Sequence, residues 1–307
     1  MRINYARCVT TGTGYYGRVQ IFPVRRTSKR RGAKRSPTKE VQAALNQKNA
    51  ERLLADKLHL NFTPDDDEVG LDYRDETMPA DYDGAMRVIR NFLRRYKPLW
   101  SKVTGKAAAE FKYVIVTECS GSGRFHHHCA FSGGVDQRTI AKCWEKGRTT
   151  VDALQFDENG LRSLAHYITK QRLGYQRWTC SRNLKKPVSK VSDHRLTLKE
   201  MRYINEHPED VGYIEALFPG WKVSPRGVFT ERIASELRES GQAVSGGKDG
   251  ESTGYETMPF CEIKLYRAEC PYYYYDKQGR FHYRFGEFGD GFEIPVFGFP
   301  EKNEESA

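Results

Sequence analysis

Lys112 to Glu118 reads Lys-Tyr-Val-Ile-Val-Thr-Glu, and Arg124 to Phe131 reads Arg-Phe-His-His-His-Cys-Ala-Phe, with Cys119-Ser-Gly-Ser-Gly123 between them. Two strand-like runs joined by a short glycine-rich turn leave the chain little choice but an antiparallel hairpin. In a strand, residues two apart point the same way. His126 and His128 therefore project side by side, while His127 points to the opposite face. Side chains paired across a hairpin lie only ~5 Å apart, so Glu118 comes within reach of the same face. Two imidazoles and one carboxylate leave coordination positions open, which is the character of a catalytic rather than a structural metal site. Mg²⁺, Mn²⁺ and Zn²⁺ all suit such a donor set. The same run would also serve as solvent-facing histidines, or as a zinc site drawing on Cys119 or Cys129; alternation turns Cys129 away from His128.

The flanking sequence predicts the layers around this hairpin. Ser36 to Leu60 favours a helix, and Glu68 to Tyr73 a short strand with Val69, Leu71 and Tyr73 on one face. Asp83 to Lys97 carries a 3.6-residue apolar stripe and is expected to end at Pro98. Helices follow over Asp136 to Trp144, with Asp136 as N-cap, over Asn159 to Arg172, and over 196–206; Thr149 to Leu154 reads as an edge strand. The expected fold is α+β, a central antiparallel sheet of four or five strands flanked by helices.

Charge is concentrated at the start. Residues 1–60 hold fourteen Lys/Arg and three acids, against a whole-chain net charge of +10, so the remainder is close to neutral. Arg25, Arg26, Lys29, Arg30, Arg31, Lys34 and Arg35 form its densest part. Such an arm suits a polyanion, most simply nucleic acid, or else is a solvated tail. Seven cysteines with no CxxC spacing argue against a zinc ribbon and a secreted disulfide framework. No apolar run approaches the ~20 residues that span a bilayer, and the N-terminus lacks a signal-peptide core, so a cytoplasmic protein without membrane contact is expected. Four segments follow: a basic N-terminal arm and helix over 1–60, a main domain over 61–240, a Gly/Ser-rich linker over 241–254, and an aromatic-rich region over 255–307. That last region is read as a small β-unit packing its own aromatics, with base stacking as the alternative.

Leu164-Ala-His-Tyr-Ile-Thr-Lys170 lies on a predicted helix, where Tyr167 and Lys170 are neighbours on one face. A phenol is a poor nucleophile at its ordinary pKa of about 10. A nearby ammonium or metal ion favours the phenolate, so the pair makes chemical sense as an activated nucleophile.

A strand, then a strand with His-x-His, then a helix with Tyr-x-x-Lys is an order that resembles the HUH endonuclease superfamily, and within it the rolling-circle replication initiators of phages and plasmids. The resemblance covers roughly residues 50–190 and rests on Phe125-His126-His127-His128, on Tyr167-Ile-Thr-Lys170 and on Trp178-Thr-Cys-Ser-Arg-Asn-Leu184. Val69-Gly-Leu-Asp-Tyr73 stands where the first motif strand belongs, and carries Asp72 in place of the Thr-rich pattern of relatives. His127 replaces the usual hydrophobe.

The resemblance implies a ferredoxin-like palm and site-specific nicking and joining of single-stranded DNA. Glu118, His126 and His128 would hold Mg²⁺ or Mn²⁺ on the scissile phosphate. Tyr167 would attack to give a 5′-phosphotyrosine and a free 3′-OH, with Lys170 stabilising charge. The implied partners are an unpaired or hairpin origin and a host helicase and polymerase, because the chain has no Gly-x-x-x-x-Gly-Lys-Ser/Thr loop. The basic arm and Arg124 would contact phosphate. Alternatives are a single-strand transposase or relaxase with the same chemistry, or a non-catalytic DNA-binding protein.

Overall fold

A computed structural model describes residues 5–24, 39–169, 177–234, 257–288 and 292–300. The chain divides into two units. One comprises residues 1–49, 187–270 and 295–307, the other residues 50–186 and 271–294.

The first unit is built on residues expected to form an arm. Tyr5–Thr13 (β1) and Tyr16–Val24 (β2) pair as a tight antiparallel hairpin. Gly14 takes the turn with φ of +69°, which glycine adopts without strain. Val188–Ser192 (β8), Lys222–Ala234 (β9) and Thr257–Tyr266 (β10) complete a five-stranded sheet of order β8-β1-β2-β10-β9, antiparallel throughout. The alternation Ala6, Cys8 and Val19, Ile21 had the pattern of half-buried strands. It buries one face against Leu198–Glu206 (α5) and Val211–Leu217 (α6), through Met201, Ile204 and Ile214. The 1–60 segment is thus corrected: a hairpin central to a sheet precedes the helix. Residues 25–38, with the seven arm cations Arg25 to Arg35, and the 241–254 linker lie outside the described residues.

The helix Lys39–Asn61 (α1) starts in the first unit and ends in the second. The second unit holds the predicted hairpin. Tyr113–Cys119 (β4) pairs with Phe125–Phe131 (β5) around the Ser120–Gly123 turn. Asp67–Asp72 (β3) lies on the other side of β5, with Thr149–Ala153 (β6) and the two-residue Thr179–Cys180 (β7) at the edges. The order β6-β3-β5-β4-β7 is antiparallel throughout, as the expected α+β fold requires.

One face of this sheet is the core. Val69, Leu71, Ile115, Cys129 and Phe131 meet Ile89, Phe92, Tyr96 and Trp100 of Tyr82–Thr104 (α2), and Ile140 and Trp144 of Gln137–Trp144 (α3). Each such side chain, fully buried, contributes roughly 1.5–3 kcal/mol of transfer free energy. Asp136 caps α3 by accepting from the Thr139 amide at 3.0 Å, as expected. Pro98 does not end α2. The apolar stripe runs on to buried Trp100, whose Nε1 donates to the Gly133 carbonyl at 2.9 Å, and the helix stops only at Gly105, with φ of +74°.

The tail is divided between units. Strand β10 belongs to the first, and the hairpin of Tyr273–Tyr275 (β11) and Phe281–Tyr283 (β12) to the second. Its rings pack on one another and on the body of the unit, Tyr273 on Phe281 at 5.2 Å and Tyr272 on Phe156 at 4.7 Å.

Candidate metal centre and tyrosine helix

Strand register decides the site. Glu118 of β4 stands directly opposite His126 of β5, and His128 stands two residues further along, opposite Val116. All three therefore share the face turned away from α2 and α3. Glu118 Oε2 lies 3.3 Å from His126 Nε2 and 3.6 Å from His128 Nε2. One ligand atom from each lies within 4.8 Å of the others. Glu118 is buried, and its Oε1, like His128 Nε2, is shielded from solvent with no hydrogen-bond partner. Buried polar atoms without partners are costly, and a divalent cation bound among them would satisfy both. The donor set of two nitrogens and one carboxylate fits Mg²⁺ or Mn²⁺, and does not by itself choose between them.

The two ligand histidines differ in environment. The hydrogen bond from Glu118 raises the pKa of His126, whereas burial lowers that of His128. His127 lies on the core face, as alternation predicts. It is fully buried, with its pKa pushed down to about 3 by loss of solvent.

Arg162–Ile168 (α4) carries Tyr167 to the metal face. Its ring is half exposed and meets the His128 ring edge-on, with centroids 5.3 Å apart. Ala165 and Ile168 are buried, and Leu161 just before the helix with them. Two contacts to α1 hold the helix in place. His59 Nε2 accepts from the Leu161 amide at 2.8 Å, and His166 Nδ1 lies 3.1 Å from Glu51 Oε2. Described α4 is shorter than the expected Asn159 to Arg172, and Lys170 lies outside the described residues.

Arg124 does not stand free beside the histidines. Its guanidinium pairs with the Asp75 carboxylate and donates to the Tyr73 carbonyl at 2.8 Å, so it ties the turn side of β5 to the chain beyond β3.

Asp72 is a residue whose place sequence reasoning did not assign. It pairs with His126 across β3 and β5, so its carboxylate is on the metal face, where its charge raises the pKa of both ligand histidines. Alternation along Gly70 and Asp72 was the available signal; the β3–β5 register was not legible. Beside Tyr167 opens a cavity of about 400 Å³ lined by Glu68, Asp152, Asp157, Leu164 and Tyr283. Burial raises the carboxyl pKa of Glu68 and Asp157. Carboxylates repel phosphate, so this recess is not where a phosphodiester would sit.

The fold and site define an α+β protein with an open two-histidine, one-carboxylate cluster on a sheet face and a tyrosine helix against it. Residues 68–172 match a family model of replication-associated proteins, the ORF2 type, a span that includes β3, all three cluster residues and Tyr167. The match is consistent with a replication initiator and covers about one third of the chain. No curated protein matches the chain. Among the described residues, no helix is long and apolar enough to cross a membrane.

Proposed function

We propose that this chain initiates rolling-circle replication of a phage or plasmid by nicking and rejoining single-stranded DNA through a 5′-phosphotyrosine on Tyr167. The observation that carries this reading is the Tyr167 ring 5.3 Å from His128, on the same sheet face as Glu118 and His126. A half-exposed tyrosine beside an open cation site is what in-line transfer from a phosphodiester needs. The match to replication-associated proteins over the same residues supports it.

Glu118, His126 and His128 would hold Mg²⁺ or Mn²⁺, which when bound polarises a phosphate oxygen and neutralises charge. The chain's own residues do the rest. Tyr167 Oη forms the new bond to phosphorus as the bond from phosphorus to the 3′ oxygen breaks. The phenolic proton is lost and the departing 3′ oxygen gains one, so a free 3′-OH and a phosphotyrosine result. Reversal by a 3′-OH rejoins the strand without an external energy source. Lys170, three residues on from Tyr167, stabilises the phenolate or phosphate charge. Arg25, Arg26, Lys29, Arg30, Arg31, Lys34 and Arg35 contact phosphates flanking the cut, as does Arg124 through the donors its Asp75 pair leaves available. A hairpin origin presents the unpaired strand, and a host helicase and polymerase extend the 3′ end.

The test uses a pool of 5′-labelled single strands carrying hairpins tiled from the replicon that encodes the chain, with Mn²⁺. A covalent protein–DNA adduct on a denaturing gel is expected, absent for Tyr167→Phe and strongly reduced for His126→Ala and His128→Ala. An adduct that survives Tyr167→Phe rules out this nucleophile.

A further inference from the structure

The solvent face of α2 bears one sign of charge. From Gly84 to Thr104 the helix carries Arg87, Arg90, Arg94, Arg95, Lys97 and Lys102 and no acid. At 100° per residue, Arg87, Arg90 and Arg94 fall within about 60° of one another, opposite the buried stripe Ile89, Phe92, Tyr96 and Trp100. All three arginines are exposed, and among the described residues none makes an ion pair. Arg95 and Lys97 are partly committed. The Arg95 guanidinium donates to the Cys143 carbonyl of α3 at 2.8 Å, and the Lys97 ammonium sits 4.9 Å from the Tyr113 ring centroid.

A helix face that only needs water mixes signs, and opposite charges three or four residues apart stabilise it by a few tenths of a kcal/mol per pair. Here the spacings Arg87 to Arg90 and Arg90 to Arg94 place like charges as neighbours, which is unfavourable within the chain. A polyanion relieves that repulsion. Arginine is also the cation whose planar fork matches a phosphate.

We infer that the exposed face of α2 is a binding surface for duplex DNA, separate from the metal face of the sheet. Duplex rather than unpaired DNA is the partner because every aromatic of α2 after Tyr82 is buried in the core, leaving no ring on which an unpaired base could stack. Arg87 to Lys102 spans about 22 Å of helix. A duplex presents a charge roughly every 1.7 Å along its axis, so the full stripe meets phosphates along its length. This inference does not depend on the nicking chemistry, and its readout is binding without cleavage.

The experiment measures anisotropy of a labelled 20-base-pair duplex, and of one of its strands, against the full chain and Arg87→Gln/Arg90→Gln/Arg94→Gln over a salt series. Duplex affinity should fall at least tenfold near 0.1 M salt. The slope of log affinity against log salt should shrink by about 2–3, one unit per lost phosphate contact. Single-strand affinity should change less than twofold. A charge-matched control, Lys199→Gln/Arg202→Gln/Lys277→Gln, removes exposed cations elsewhere and should keep the duplex slope. An unchanged slope in the arginine variant, an equal loss in the control, or an equal loss on the single strand overturns the inference. Circular dichroism checks that the variant is folded.

Discussion

The Nε2 of His127 lies 2.7 Å from the Tyr73 hydroxyl, and its Nδ1 lies 2.9 Å from Thr117 Oγ1. The middle histidine of the run therefore links β4, β5 and the residue after β3 on the core side, behind the pair that faces the metal. A hydrophobe there would rely on packing alone. Here a neutral imidazole, fully buried, uses both ring nitrogens. Tyr73→Phe leaves one of them without its partner. It should lower unfolding free energy by about 1–2 kcal/mol in urea titration while Mn²⁺ binding persists. An unchanged midpoint would mean that the bond contributes nothing.

The cluster itself is tested by metal binding rather than by turnover. Glu118→Ala, His126→Ala and His128→Ala each remove one of three donors. Each should weaken Mn²⁺ binding at least tenfold by calorimetry or electron paramagnetic resonance. Asp72→Asn, which removes a charge from the same face, should weaken it less. If Asp72→Asn costs as much as His126→Ala, Asp72 is itself a ligand.

Gly160 precedes the tyrosine helix with φ of +64°, and a Cβ there would lie 2.4 Å from His59 Nε2. That nitrogen accepts from the Leu161 amide. Gly160→Ala combines backbone strain with displacement of this anchor, and should destabilise the fold by about 1–3 kcal/mol. Because α4 carries Tyr167 and none of the metal donors, adduct yield should fall several-fold with Mn²⁺ affinity little changed. Equal losses in both would show that α4 and the cluster are not separable.

Asp67 at the start of β3 has its carboxyl pKa pushed up to about 7, first by burial and then by the charge of Asp66. The unfolded chain loses this proton near pH 4 and the folded chain near pH 7. Between those values the folded state binds the extra proton, so stability falls as pH rises, and levels off above about 7. Asp67→Asn should match the parent near pH 4 and exceed it by about 2 kcal/mol at pH 8, a figure discounted for partial exposure. Parallel stability curves for the two proteins across pH 4–8 would rule this out.

Alternation alone made much of the site legible. His126 and His128 share a face, His127 takes the other, and Glu118 at the end of the preceding strand reaches the pair. Each of these is a consequence of a two-residue period and a short turn, which act over a few residues. The helical placing of Tyr167 was legible for the same reason, though its helix is shorter than the pattern suggested. Pro98 misled because a proline's local cost was weighed without the burial of Trp100 that outweighs it.

What lay beyond the sequence was everything set by long-range pairing. Tyr5 to Val24 alternates as strands do, but its place in a sheet depends on Ile21 meeting Cys261 and Cys8 meeting Ser192, and no local pattern encodes such partners. The basic run that follows drew attention to charge instead. In the same way, the sequence by itself determined which residues carry the chemistry and which way each faces its own strand. Only the tertiary structure decided that Glu118 stands directly opposite His126, that Asp72 joins them from β3, and that the Tyr167 ring meets His128. Periodicity is local, whereas strand register and helix docking are settled by packing between segments distant in the chain.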